Sequence, residues 1–162
     1  MALVLKKWYA GNTADNTGNY VHLVGRQPGF FAWVLSVLGV DPTTEVEVKQ
    51  HLIVFTAGSL SGRERRVIPL KSISSTYYGY EKPWKEALLV TLLLMPLFGI
   101  GLLLGPLYYI LNKKLTVGVV EMSGWIGGFA FKRSVIEGKN ISEPEAYQVI
   151  EIIRLLIEAK TS

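Results

Sequence analysis

The sequence predicts an α+β fold: a small antiparallel β domain closed by a C-terminal helix and interrupted by an apolar helical hairpin. Three observations carry that prediction. Short segments rich in β-branched and aromatic residues alternate polar with apolar positions, as strands with one buried face do. The run Ala87–Leu111 holds no charged residue and is bounded by Lys82 and Lys85 before it and by Lys113 and Lys114 after it. Near the C-terminus, Ser142-Glu143-Pro144-Glu145 reads as a capping box ahead of apolar residues at helical spacing.

A chain of 162 residues suits one domain, or one domain with an insert. Leu3–Tyr9 and Tyr20–Arg26 read as two strands separated by the turn-forming stretch Gly11–Asn19. Gly29–Val40 follows, free of charge between Arg26 and Asp41-Pro42 but too short to span a bilayer. It is expected either as a buried core helix or as one lying in the membrane interface, where Phe30, Phe31 and Trp33 are the residue types that settle at headgroup depth. Glu45–Phe55 alternates through Val46, Val48, Leu52 and Val54 and predicts one further strand. After a turn at Ala57–Gly62, Arg63–Leu70 returns as its partner, and Pro69 places the end of that strand near an edge or a bulge. Lys71–Tyr80 and, beyond the apolar run, Lys114–Glu121 and Gly128–Val135 complete a series of seven strands. The closing helix carries Ala146, Val149, Ile150, Ile153, Leu156 and Ile157 on one face and ends near Lys160.

The apolar run has the length of a single membrane span, yet three arguments favour a hairpin. Lysines flank both ends, and basic residues beside membrane segments stay on the cytoplasmic side, so both ends belong on that side. The strands before and after the run are individually incomplete and gain stability by sharing a sheet. Pro96-Leu97-Phe98-Gly99-Ile100-Gly101 combines a residue without an N–H and two that favour bends. Legs from Pro83 to Phe98 and from Gly99 to Asn112 reach only about 24 and 21 Å at 1.5 Å per residue, short of a hydrocarbon core of about 30 Å. The hairpin therefore either dips into the bilayer or spans a thinned one. The residues expected in lipid or at its surface include Trp84, Leu88, Leu92, Pro96, Phe98, Gly99, Gly101, Gly105, Pro106, Tyr108 and Tyr109, with the tryptophan and tyrosines as interface anchors. Gly101 and Gly105 form a GxxxG pattern, which either packs the two legs or joins neighbouring chains.

Chemistry is sparsely represented. The chain has no cysteine, hence no disulfide framework, thiolate nucleophile or cysteine metal site. Its start, MALVLKKWYAGNT, lacks the apolar core of a signal peptide. A net charge of +4 suits a protein held against anionic lipid and is too small and scattered for a nucleic-acid partner. His22 and His51 have no neighbouring ligand at metal spacing, and Ser72, Ser74 and Ser75 lack a Gly-x-Ser-x-Gly elbow. Gly124–Gly128 lacks the Lys-Ser/Thr of a phosphate loop. No catalytic, cofactor or metal set is predicted. Arg63, Arg65 and Arg66 join Lys82, Lys85, Lys113 and Lys114 as candidate contacts to lipid headgroups, although alternation places Arg66 opposite the other two arginines and a solvated hairpin is the better explanation of the three.

The order of strands, an IPLKSISS strand at Ile68–Ser75, an apolar hairpin, two more strands and a helix resembles small prokaryotic membrane proteins with a pleckstrin-homology-like (PH-like) domain, over residues 45–160. The resemblance implies a seven-stranded sheet or partial barrel closed by the C-terminal helix, with residues 1–81 and 113–162 as the PH-like domain and 82–112 as the inserted membrane hairpin. The two extra N-terminal strands and the Phe30 segment depart from that pattern. The expected function is that of a non-enzymatic protein anchored in the cell membrane, its PH-like domain on the cytoplasmic side, acting as a self-associating scaffold or membrane-shaping module. Its expected partners are membrane lipids, further copies of itself and an unidentified protein. Two alternatives remain at this stage: a pore or small transporter subunit built from oligomerised hairpins, and an adaptor for anionic lipid.

Overall fold

The computed structural model describes residues 3–27, 34, 37, 43–59, 62–96, 99–132 and 138–161. Among them, eight strands form two antiparallel sheets. The first sheet runs β1 (Val4–Ala10), β2 (Asn19–Arg26), β3 (Thr43–Lys49), β4 (Leu52–Ser59) and β5 (Gly62–Pro69), each strand beside the next in sequence. A single 3-10 turn, Leu70–Ser72, leads into the second sheet of β6 (Ile73–Glu81), β7 (Lys114–Glu121) and β8 (Ile126–Lys132). Between β6 and β7 stand α1 (Trp84–Leu94) and α2 (Gly101–Leu111), and α3 (Glu143–Thr161) ends the chain. The expected α+β class with an antiparallel sheet and a closing helix is present.

The strand expected at Glu45–Phe55 is two strands. Continuous alternation would carry Gln50 to the buried face, where its amide would lack a partner, and the chain instead turns at Gln50-His51 so that Val48 faces Ile53 and Val46 faces Phe55. Ile53 thereby becomes fully buried while Leu52 is half-buried. Pro69 lies at the end of β5, an edge strand of the first sheet, where its missing N–H costs no ladder bond. The expected Gly29–Val40 helix and the end of the strand expected to reach Val135 fall outside the described residues.

The two sheets meet along one side through a parallel bridge between Leu3 and Phe131. There Leu3 N–H donates to Ala130 O (2.8 Å) and Lys132 N–H donates to Leu3 O (2.9 Å). The sheets approach so closely that a Cβ at Gly25 would overlap the Phe129 ring. On the other side Arg66 ties β5 to the second sheet. Its guanidinium donates to Glu121 (3.2 Å) and lies 4.3 Å from the centre of the Trp125 ring, which itself meets Phe55 edge-on.

Helix α3 packs against β1, β2, β6, β7 and the 3-10 turn, closing the space between the sheets. Leu5, Leu23, Val48, Ile53, Ile68 and Phe129 from the sheets meet Ala146, Val149, Ile152 and Ile153 from the helix. The capping box starts this helix as expected: the backbone N–H and hydroxyl of Ser142 both donate to Glu145 Oε2 at 2.7 and 2.8 Å. These bonds hold the Glu145 carboxyl below the usual glutamate range, the backbone bond contributing most.

Candidate functional site

The run Ala87–Leu111 is broken. α1 and α2 are eleven residues each, lie against one another, and are joined through Met95-Pro96 and Gly99, whose φ of +71° is a backbone conformation that glycine adopts without strain. No helix of the described residues is long and apolar enough to cross a membrane. Each leg is about 16 Å long at 1.5 Å per residue, shorter than the legs expected from the sequence.

The inside of the hairpin is made of small residues. Ala87, Gly101 and Gly105 are buried, and a Cβ on Gly105 would overlap Thr91 Oγ1 while one on Gly101 would overlap Thr91 O. The GxxxG pattern therefore packs leg to leg. Thr91 spends its hydroxyl on Ala87 O of the preceding turn, at 2.9 Å, so the crossing point exposes no free donor. Pro106 within α2 has no N–H to return to Leu102 and sits on the exposed side.

The outside is the reverse. Leu88, Leu89, Leu92 and Leu93 on α1, and Leu102, Leu103, Leu107 and Ile110 on α2, are exposed, Leu103 to 77% and Leu93 and Ile110 to 67%. Large aliphatic residues on both legs thus face away from the protein, and the hairpin touches the β domain only at its foot.

That foot carries a ring of lysine–aromatic contacts. Lys82 Nζ lies 5.0 Å from the Tyr109 ring centre, Lys85 Nζ lies 5.6 Å from that of Trp84, and Lys113 Nζ lies 4.0 Å from that of Tyr80. Lys113 also pairs with Glu143 at the start of α3, and Lys114 lies 3.7 Å from Glu86 in the first turn of α1. All four flanking lysines thus have an aromatic ring or a carboxylate beside them, Trp84 and Tyr109 among the rings. Tyr80, the last residue of the strand expected from the sequence and the next to last of β6, joins them through Lys113. Tyr108 is half-buried.

Arg63 and Arg65 lie apart from this ring. They face Glu45 (3.7 Å) and Glu47 (4.0 Å) across the first sheet, while Arg66 points to the opposite face and joins the sheets. All three have protein partners and none converges with the lysines of the foot. Phe98, Phe30, Phe31 and Trp33 fall outside the described residues. His22 differs from its sequence reading, since antiparallel pairing brings Glu45 and Glu47 to it. Comparison with family models, curated proteins and solved structures gives no match to this chain.

Proposed function

We propose that the chain is a non-enzymatic, membrane-anchored PH-like protein whose hairpin dips into the cytoplasmic leaflet and whose β domain stays at the cytoplasmic surface as an assembly platform. The observation that carries this reading is the inverted packing of the hairpin, with glycine and alanine inside and leucine outside. In water that arrangement leaves a large apolar patch exposed, whereas lipid covers it. A leg of about 16 Å matches roughly half of a 30 Å hydrocarbon core, so insertion stops within one leaflet.

Magnitudes separate anchor from orientation. Burying a half-exposed leucine gains on the order of 1 kcal/mol, and many contribute. A lysine near an anionic surface gains about 1 kcal/mol, and the lysines of the foot already face rings or carboxylates. The leucines hold the protein in the bilayer and the lysine–aromatic ring sets its depth. Among the described residues, eight strands in a five-plus-three arrangement with a closing helix support the PH-like reading, with one strand more than the seven of the simple pattern. From Ala87 to Leu107 the sequence carries no ionisable residue, which favours an anchor over a pore-lining element.

The test uses the absence of cysteine, which lets single labels be introduced. In sealed vesicles, Val67→Cys before the hairpin and Met122→Cys after it are expected to label equally, and opposite accessibility overturns the hairpin topology. Spin labels at Leu103 and Ile110 are expected to report a deep and a shallow position respectively. Homo-oligomeric assembly, the common form for such platforms, is checked by mass photometry in detergent; monomers alone would remove the scaffold and leave the anchor.

A further inference from the structure

The outer face of the first sheet gathers a second set of groups, unconnected with the hairpin. β2 and β3 place His22 opposite Glu47 and Val24 opposite Glu45, so the imidazole and both carboxylates share one face. Their ligand atoms lie within 4.8 Å of one another. Glu45 Oε1 is 2.6 Å from His22 Nε2 while Glu45 Oε2 faces Arg63 at 3.7 Å. Glu47 Oε1 accepts from Asn19 Nδ2 at 3.3 Å while Glu47 Oε2 faces Arg65 at 4.0 Å. Each carboxylate thus turns one oxygen inward and gives the other to an arginine.

Two atoms in this cluster lack partners. His22 Nδ1 and Asn19 Oδ1 are the buried side-chain nitrogen and oxygen atoms without a hydrogen bond among the described residues. Asn19 is fully buried and His22 is 8% exposed, and a bulge between Asn19 and Val21 shifts the alternation of β2 so that both lie on the outer face. Buried polar atoms are almost always paired, so two orphans in one place call for an explanation.

We propose that His22 Nε2, Glu45 and Glu47 form a binding site for a divalent transition ion of the Zn²⁺ or Mn²⁺ class, with Asn19 orienting it from behind. One imidazole and two carboxylates make a nitrogen–oxygen donor set, and the imidazole selects transition ions over Mg²⁺ and Ca²⁺. Metal on Nε2 displaces the imidazole proton to Nδ1, and a ligating histidine donates that second N–H to a nearby acceptor. Asn19 Oδ1 is the unpartnered buried acceptor on the same strand. Its amide donates through Nδ2 to Thr17 Oγ1 (2.9 Å) and Glu47 Oε1 (3.3 Å), which leaves Oδ1 as the acceptor that His22 Nδ1–H would turn to once an ion sits on Nε2. Arg63 and Arg65 steady the outer carboxylate oxygens.

The test is isothermal titration of the full chain in detergent, after chelator dialysis, with ZnCl₂ and then MgCl₂. One equivalent of Zn²⁺ per chain is expected, with Mg²⁺ far weaker. Glu47→Gln, close to isosteric, and His22→Ala are each expected to weaken Zn²⁺ about tenfold or more, whereas His51→Ala, at an exposed turn, leaves it within about twofold. Imidazole ¹⁵N spectra are expected to show His22 protonated on Nδ1 once Zn²⁺ is added. Absence of Zn²⁺ binding by the wild type, or unchanged binding in folded Glu47→Gln protein, overturns the proposal; so does a Zn²⁺-induced shift at His51 alone. The hairpin takes no part in any of these outcomes.

Discussion

Inside the β domain Leu5, Leu23, Ile53 and Phe129 are shut between two sheets, whereas in the hairpin Leu92, Leu93, Leu103 and Ile110 face outward and glycines fill the interior. One region exposes charges and hides its large apolar groups; the other hides its small groups and exposes the large ones. Hydrophobic composition alone therefore does not say where a core lies. The deciding feature is which residue sizes meet at the contact, because a contact made by glycine and alanine gains from close approach and little from removing apolar area from water.

Phe129→Ala is the substitution expected to do most damage. It opens a cavity between the sheets and should cost about 3–5 kcal/mol in denaturant unfolding. Leu93→Ala, of the same chemical kind but in the hairpin, is expected to change unfolding by under about 0.5 kcal/mol in detergent. If the two cost the same, the contrast between the regions is void.

Gly105→Leu comes next. The added side chain overlaps Thr91, and overpacking of this kind costs about 1–3 kcal/mol. The loss should appear as separation of the legs, read as a longer spin-label distance between α1 and α2, with the β-domain transition unmoved. Leu103→Asp should leave both transitions intact and reduce partition into vesicles about tenfold or more, since a buried carboxylate costs about 2.5 kcal/mol or more at membrane depth.

The smallest effect concerns the cap of α3. Ser142→Ala removes the hydroxyl donor and should cost about 1 kcal/mol. Because Glu145 titrates lower in the folded state than in the unfolded chain, its contribution is complete above the ordinary glutamate range and fades as acid passes down through the folded value. Stability between those limits should fall with falling pH in the wild type and lose that component in Glu145→Gln.

Much of this arrangement is legible in the sequence where the signal is local. The capping box at Ser142, the turn-rich Gly11–Asn19 stretch and the flanked break at Pro96–Gly101 depend on neighbouring residues, and the elements fall where those residues put them. Ile152 is buried on α3 in addition to the residues the spacing singled out, of which Ile150, Leu156 and Ile157 pack half-buried against the core, because the helix sits on two sheets and so buries a wider face. The turn at Gln50-His51 was hidden because polar residues continue the alternation by eye; only the inward position of Gln50 signals the break. The His22 cluster was illegible for another reason. Its carboxylates lie more than twenty positions downstream, and only the register of β2 on β3 brings them together. The partner of the GxxxG glycines was likewise undecided until Thr91 and Ala87 were seen opposite them.

The insertion of α1 and α2 between β6 and β7 has a consequence for how the protein is made. As the chain leaves the ribosome, the first sheet can pair strand by strand, since each strand finds its neighbour just synthesised. β6 cannot, because its partner follows the hairpin, and the Leu3–Phe131 bridge must wait until β8 has emerged. The apolar hairpin thus emerges while the second sheet is still a single strand, and the β domain is completed only after it. Because α3 follows β8 in the sequence and packs on both sheets, it closes over them only after β7 and β8 have emerged.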